Sequence, residues 1–446
     1  MMLYAGFIGS MVLLGVLVTL FNEQAAKADP TEIESAAVLG AAVVSEPDVI
    51  ASSTVAPTVA PTTAPVAPTT AAPTTTTIAP STTTAAPTTT IPLADRSLAR
   101  IEQVFGDIAP KSVTATGNGL FFAQNMMYRH TVTVYDDQGS LLRTLSDRVD
   151  FADFGRPELG VARGAPVEAA ATSDGRFVYV SNYAMYGPAF GPAPDDSCAD
   201  SGWDNSFLYR VDTTTLEIDQ VIEVGATPKF LAISPDDRYV VVSNWCSFDA
   251  SIVDTESGVE IARIDIGRHP RGVAVTGDSS TAYVTQMGGS DIAILPLDEI
   301  GRPEVVGLQP DFEPIYTTWD VDLNVERIED VGRGPRSILL SPDNQFLYAT
   351  LNSEGTVVKI DATTGEVLEE VRTGDAPRSM AISEDGEALY VVNYNSDTVS
   401  KVLTETMEEL QELETADKPI GITVDPASSN VWVSNYSGVL QIFEDQ

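Results

Sequence analysis

The sequence predicts an all-β fold, a seven-bladed β-propeller, over residues 97–446. Three observations predict it. A strand-rich pattern recurs with a period near 42 residues, each copy holds the same strand and turn signals, and the last copy lacks a strand that is found ahead of the first.

The period is clearest in the segments starting at Pro335, Pro377 and Pro419: PRSILLSPDNQFLYATLN, PRSMAISEDGEALYVVNY and PIGITVDPASSNVWVSNY. Pro228 (PKFLAISPDDRYVVVSNW) and Pro270 (PRGVAVTGDSSTAYVTQM) open two more copies with the same spacing. Pro166 (PVEAAATSDGRFVYVSNY) and, more loosely, Pro110 (PKSVTATGNGLFFAQNM) complete the seven. In each copy Pro stands at a strand start, where a missing N–H donor is tolerated. A short apolar strand follows, then a turn such as Ser234-Pro235-Asp236-Asp237. A second strand ends in Asn (Tyr239 to Asn244), and a third ends in Asp (Ser251 to Asp254). A Thr-x-x-Gly turn leads to a fourth, alternating strand (Val259 to Ile266). Apolar first strands and a polar-alternating fourth fit an inner-to-outer order across each blade. The seventh copy ends after three strands, at Gln446, and Leu98 to Phe105 is predicted to supply its fourth and close the ring.

The strings Tyr179-Val180-Ser181-Asn182, Tyr283-Val284-Thr285-Gln286 and Tyr390-Val391-Val392-Asn393 resemble the repeat of the YVTN, or YncE-like, β-propeller family. The SPDG-like turn and the Asp-x-x-x-Gly turn are similar as well. The resemblance covers roughly residues 97–446 and implies architecture more than activity. Some seven-bladed propellers with similar repeats are lactonases of the 6-phosphogluconolactonase type, so it implies a hydrolase as one alternative.

In such a ring, the fourth-to-first and second-to-third loops share one face, here called the top. Extra residues near Tyr183 to Asn205 and Ser146 to Ala165 belong to that face, and an insertion near Glu299 to Val321 belongs to the opposite one. Long loops on a rigid scaffold are where function concentrates. Cys198 lies in the first insertion and Cys246 in the equivalent loop of the next blade, so a Cys198–Cys246 disulfide is expected in an oxidising compartment. Asp195, Asp196, Asp200 and Asp204 of the same insertion are weak calcium candidates, since their spacing is not that of an EF-hand and a solvated acidic loop accounts for them.

Lys111, Lys229, Arg271, Arg336 and Arg378 each follow the repeat Pro, at the start of the innermost strand. They could ring the top of the central channel and capture an anion, with His269 beside them. The competing reading has each bonding a neighbouring blade's carbonyls or carboxylates. His130 reads as a loop residue with no visible partner. Asn182, Asn244, Asn393 and Asn435 read as turn-closing residues. Trp203, Trp245, Tyr183, Tyr394 and Tyr436 are expected at the top loops, either as a recognition surface or as packing between blades. No zinc signature, phosphate-binding Gly loop or GxSxG motif is present, so no catalytic residue and no cofactor is assigned.

Ahead of the propeller, Leu3 to Phe21 is an uncharged apolar run of about nineteen residues, marginal to sufficient for a membrane span. It fits either an uncleaved anchor or a signal peptide cleaved after Ala28, making residues 1–28 one segment. Residues 29–96 form an Ala/Thr/Pro-rich linker, expected to be disordered or extended and of a type often O-glycosylated at cell surfaces.

Composition bounds the partners. The chain carries 25 Lys+Arg against 64 Asp+Glu, a formal net charge of -39, which argues against a duplex nucleic acid partner. Two Cys and two His leave no Cys/His metal cluster. The expected function is an exported, cell-surface or secreted module, monomeric as a propeller. It is expected to bind a protein, glycan or small anionic ligand through its top face, and to touch a membrane only through an uncleaved N-terminal helix. A lactonase-like hydrolase working in the central channel and a passive cell-envelope module are the alternatives.

Overall fold

The computed structural model describes residues 96–199, 202–308, 314–316, 323 and 325–446. The expected anchor or signal, nearly all of the linker, and Asp200 lie outside the described residues.

Seven four-stranded antiparallel sheets form the blades. The third blade shows the plan: Pro228–Ile233, Tyr239–Asn244, Asp249–Asp254 and Val259–Asp265, hydrogen-bonded in that order. Burial follows the predicted gradient. Tyr239–Asn244 is buried at all positions, whereas the fifth blade's outer strand, Val367–Arg372, is almost wholly exposed. The apolar core sits between blades: Val241, Ile252 and Ile261 of the third pack with Val273, Val284 and Leu295 of the fourth.

The S/T-x-D turns explain themselves chemically. Ser234 Oγ donates to Asp236 Oδ1 (2.6 Å) and accepts from Tyr239 N (2.9 Å), while Arg238 N donates to the same carboxylate (3.1 Å). Thr172–Asp174, Thr276–Asp278, Ser341–Asp343 and Ser383–Asp385 repeat the hydroxyl-to-carboxylate bond. The repeated Asn residues are buried and brace the next strand: Asn244 Nδ2 donates to Asp249 Oδ1 and Ser251 Oγ, both at 2.7 Å.

Closure occurs where predicted. Leu98–Phe105 pairs antiparallel with Val439–Asp445 as the outer strand of the seventh blade. The buried Lys401 ammonium of the sixth blade locks it, donating to Asp445 Oδ1 (2.6 Å) and to Arg96 O (2.8 Å). Among the described residues no helix is long and apolar enough to cross a membrane.

The two top insertions fold onto each other. Arg148–Asp150 and Val161–Arg163 form a small hairpin, which bridges to Tyr186 of the second-blade insertion. Phe151, Met185 and Phe207 pack beneath it. The third-to-fourth-strand insertion of the fourth blade lies at the other face: its Ile300 carbonyl accepts from Tyr239 Oη (2.7 Å) and Arg238 Nη2 (3.1 Å), beside a first-to-second-strand turn.

Candidate anion-binding pocket

The inner strands of the third to sixth blades begin with a device that aims one side chain into the channel. The residue ahead of the Pro takes a left-handed conformation at Thr227 (φ 59°), His269 (φ 56°), Ala376 (φ 54°) and Lys418 (φ 60°). Directly after the Pro the pairing register slips, between Pro228 and Phe230, Pro270 and Val273, Pro335 and Ile338, and Pro377 and Ser379. Such bulges free a residue from the ladder and redirect its side chain. The freed residues are Lys229, Arg271, Arg336 and Arg378. With Lys111 they line one central cavity of about 540 Å³ at the top face.

The five cations are not equivalent. Lys111 Nζ and Arg271 Nη2 both contact Glu168 Oε1 at 3.1 Å, with all three side chains buried. Lys229 Nζ pairs with Asp196 Oδ1 at 2.6 Å and lies over the Tyr183 ring. Arg336 is buried and, among the described residues, has no carboxylate in contact: its Nε donates to Arg378 O (3.1 Å) and its Nη1 faces the Met287 sulfur (3.6 Å). Arg378 lies 4.1 Å from the centre of the Tyr394 ring, and its Nε is buried without a hydrogen-bond partner among the described residues, as is Arg271 Nη1.

Electrostatics follows that geometry. Burial lowers the Lys111 ammonium well below its usual range, Glu168 only partly restoring it against Arg271 and Arg336. Burial pushes the Glu168 carboxyl up, but Lys111 and Arg271 together hold it below the ordinary value. Burial brings Lys229 down to about 8 despite Asp196. Burial, then the neighbouring Arg271 and Arg378, place the Arg336 guanidinium well below its usual value. The described pocket therefore holds more buried positive charge than its own carboxylates offset, a condition relieved by a bound anion.

His269 does not line the cavity. It stacks on Trp245 (4.3 Å between centroids, 6° between planes), and burial first, then Arg268, lowers its pKa. Trp245, Tyr183 and Tyr436 do line it, Tyr394 supports Arg378 from behind, and Trp203 is not part of the lining. Cys198 and Cys246 are joined in a disulfide with Cα atoms 5.3 Å apart. The bond fixes the insertion so that Asp196 reaches Lys229 and its carbonyl accepts from Trp245 Nε1 (2.8 Å). The Asp cluster is dispersed: Asp195 caps its own turn through Ser197 and Cys198, and Asp204 accepts from Gly191 N. No group of three His, Cys, Asp or Glu placed to hold a metal occurs among the described residues.

Two residues were not legible in the repeat. Glu168 stands one place beyond the aligned basic position, in a copy that has Val167 there, so alignment passes over it. His130 has a partner, contrary to expectation: Nδ1 donates to Gly164 O (2.8 Å) and lies 3.2 Å from Asp147 Oδ2. Asp147 directly follows the fourth strand of the first blade and His130 directly precedes the third, beside the Thr131–Ser146 pair of that ladder, so strand register rather than the repeat motif brings them together. Burial pushes the Asp147 carboxyl up to about 8, against the pull of Arg163.

Fold and site define a seven-bladed repeat propeller with a cationic central pocket. A family profile described as "Lactonase, 7-bladed beta-propeller" matches residues 267–433. Antigen Lp49 of Leptospira interrogans serogroup Icterohaemorrhagiae serovar copenhageni (strain Fiocruz L1-130) is 26% identical over 210 residues, covering 38% of this chain. The match spans less than half, 46%, of that relative's length. Hydrazine synthase from Kuenenia stuttgartiensis superposes with a TM-score of 0.55 at 16% identity, over 76% of this chain and 96% of that one, a likeness of fold alone. The chain is thus a propeller-repeat protein, similar over its later blades to the lactonase-type propellers.

Proposed function

We propose that the protein is an exported binding module that takes a small anionic ligand in its central top-face pocket. The observation that carries this reading is Arg336: buried, flanked by Arg271 and Arg378, and without a carboxylate contact among the described residues. A carboxylate or phosphate there would accept charge-assisted bonds from groups that otherwise stay unsatisfied. Export is supported by the apolar run at Leu3 to Phe21, the Thr/Pro-rich stretch, and a disulfide of the kind that persists in oxidising compartments.

The test is thermal unfolding of the protein at low ionic strength with inorganic phosphate or small carboxylates. A ligand at about 100 times its Kd stabilises by about 2.7 kcal/mol. The wild type is expected to melt higher as the anion is added, and Arg336→Gln to lose that response. An equal response in R336Q, or none in either, overturns the reading.

A second reading, a lactonase-like hydrolase, is favoured by the matched profile and by the His130–Asp147 contact at the pocket rim. His130 Nδ1 is committed to Gly164 and Asp147, which leaves Nε2 as the candidate base for activating water. Turnover on a panel of lactones that is lost in His130→Gln would establish it. A panel without turnover returns the pocket to binding alone.

A further inference from the structure

We infer that the ligand is an organic anion with an apolar or aromatic body, rather than an inorganic ion. The inference rests on the anion reading above and concerns the other end of the same pocket. In a closed ring of seven blades, the junction between the first and second stands across the channel from the fifth. Arg336 belongs to the fifth blade and Arg378 to the sixth. Opposite them, the loops after the second strands of the first two blades bring Met126, Met127, Tyr128 and Tyr186 to the lining. The cavity therefore has a cationic wall facing an apolar one.

That apolar wall is open, and Tyr186 is held in place. Tyr186 is 42% exposed and Tyr128 83% exposed, while Met126 and Met127 are half-buried. Tyr186 is fixed by paired backbone bonds with Arg163 (2.7 and 2.8 Å), and its ring stands edge-on to His130. Adjacent methionines make an adaptable, polarisable surface suited to an apolar or aromatic group. Trp245, by contrast, is already engaged by His269 on stacking and by the Lys229 ammonium. A volume of about 540 Å³ exceeds what phosphate or acetate would fill and falls within the range of small-molecule sites. A bare ion at Arg336 would leave Met127 and Tyr186 wet. An anion carrying a ring or short hydrocarbon body would satisfy both walls.

Isothermal titration of the full protein with acetate, inorganic phosphate, phenylacetate and uncharged phenylacetamide tests this. Phenylacetate is expected to bind at least tenfold more tightly than acetate or phosphate, and phenylacetamide to lose that affinity. The double variant Met127→Ala/Tyr186→Ala should bring phenylacetate down to the level of acetate while acetate binding is unchanged. R336Q should weaken both. Acetate or phosphate binding as tightly as phenylacetate overturns this inference and leaves the anion reading standing. Phenylacetamide binding as tightly as phenylacetate overturns the anion reading and this inference with it, as does an absence of heat with all four probes.

Discussion

The two sides of the cation ring face opposite electrostatic situations. On the side of the first four blades, Lys111 and Arg271 share Glu168 and Lys229 has Asp196, so burial is answered by carboxylates the protein supplies. On the side of the fifth and sixth, Arg336 and Arg378 rest on a carbonyl, a methionine sulfur and a tyrosine ring. The same sequence position, a basic residue after a Pro, thus meets carboxylates on one side and none among the described residues on the other. A repeated position is not by that fact structural; its neighbours across the channel decide.

Breaking the paired side should have the largest effect. Glu168→Gln leaves two buried cations without their shared carboxylate and is expected to cost about 3–5 kcal/mol. Denaturant unfolding measures the loss, and added phosphate should recover part of it, because a new unpaired site has been made. A loss below about 1 kcal/mol would mean that the pair contributes little, as exposed pairs do. Next in size, opening the disulfide in Cys198→Ser/Cys246→Ser should cost about 2–4 kcal/mol. It should also free Asp196 from Lys229, so thermal melts with and without reductant should differ for the wild type and coincide for the double variant.

A third effect, small at each step of pH, sharpens the comparison at the rim. Asp147 faces His130 and Arg163, and burial raises it to about 8, so between the ordinary carboxylate range and pH 8 the folded state keeps a proton that the unfolded state has lost. Stability from this group is therefore full at low pH and is lost as pH rises toward 8, by at most about 1.4 kcal/mol per pH unit. Urea unfolding at pH 5, 6, 7 and 8 should show the wild type falling relative to Asp147→Asn. Parallel profiles would place His130 and Arg163 close enough to keep Asp147 ionised.

The fold was legible because its signals are local and repeated. Pro, the S/T-x-D turn and the terminal Asn each act within a few residues, through bonds such as Ser234 to Asp236 and Asn244 to Asp249. Ring closure followed from counting strands. The positions of Lys229, Arg271, Arg336 and Arg378 followed from the same phase, since these four blades turn the same residue inward; the second blade departs from it, with Glu168 rather than Val167 meeting the cations. The roles were less legible. His269, adjacent in sequence to the ring, turns aside to stack on Trp245, while His130 acquires a buried carboxylate.

Sequence alone determined the seven blades, the closing strand, the faces of the insertions and the inward ring of basic residues, because each depends on spacing along the chain. Only the tertiary structure decided which of those cations are neutralised. Glu168 is 57 residues from Lys111 and 103 from Arg271 along the chain, yet its carboxylate meets both. A direct ion pair needs its partners within about 4 Å, and no spacing rule within one blade carries the distances across the channel.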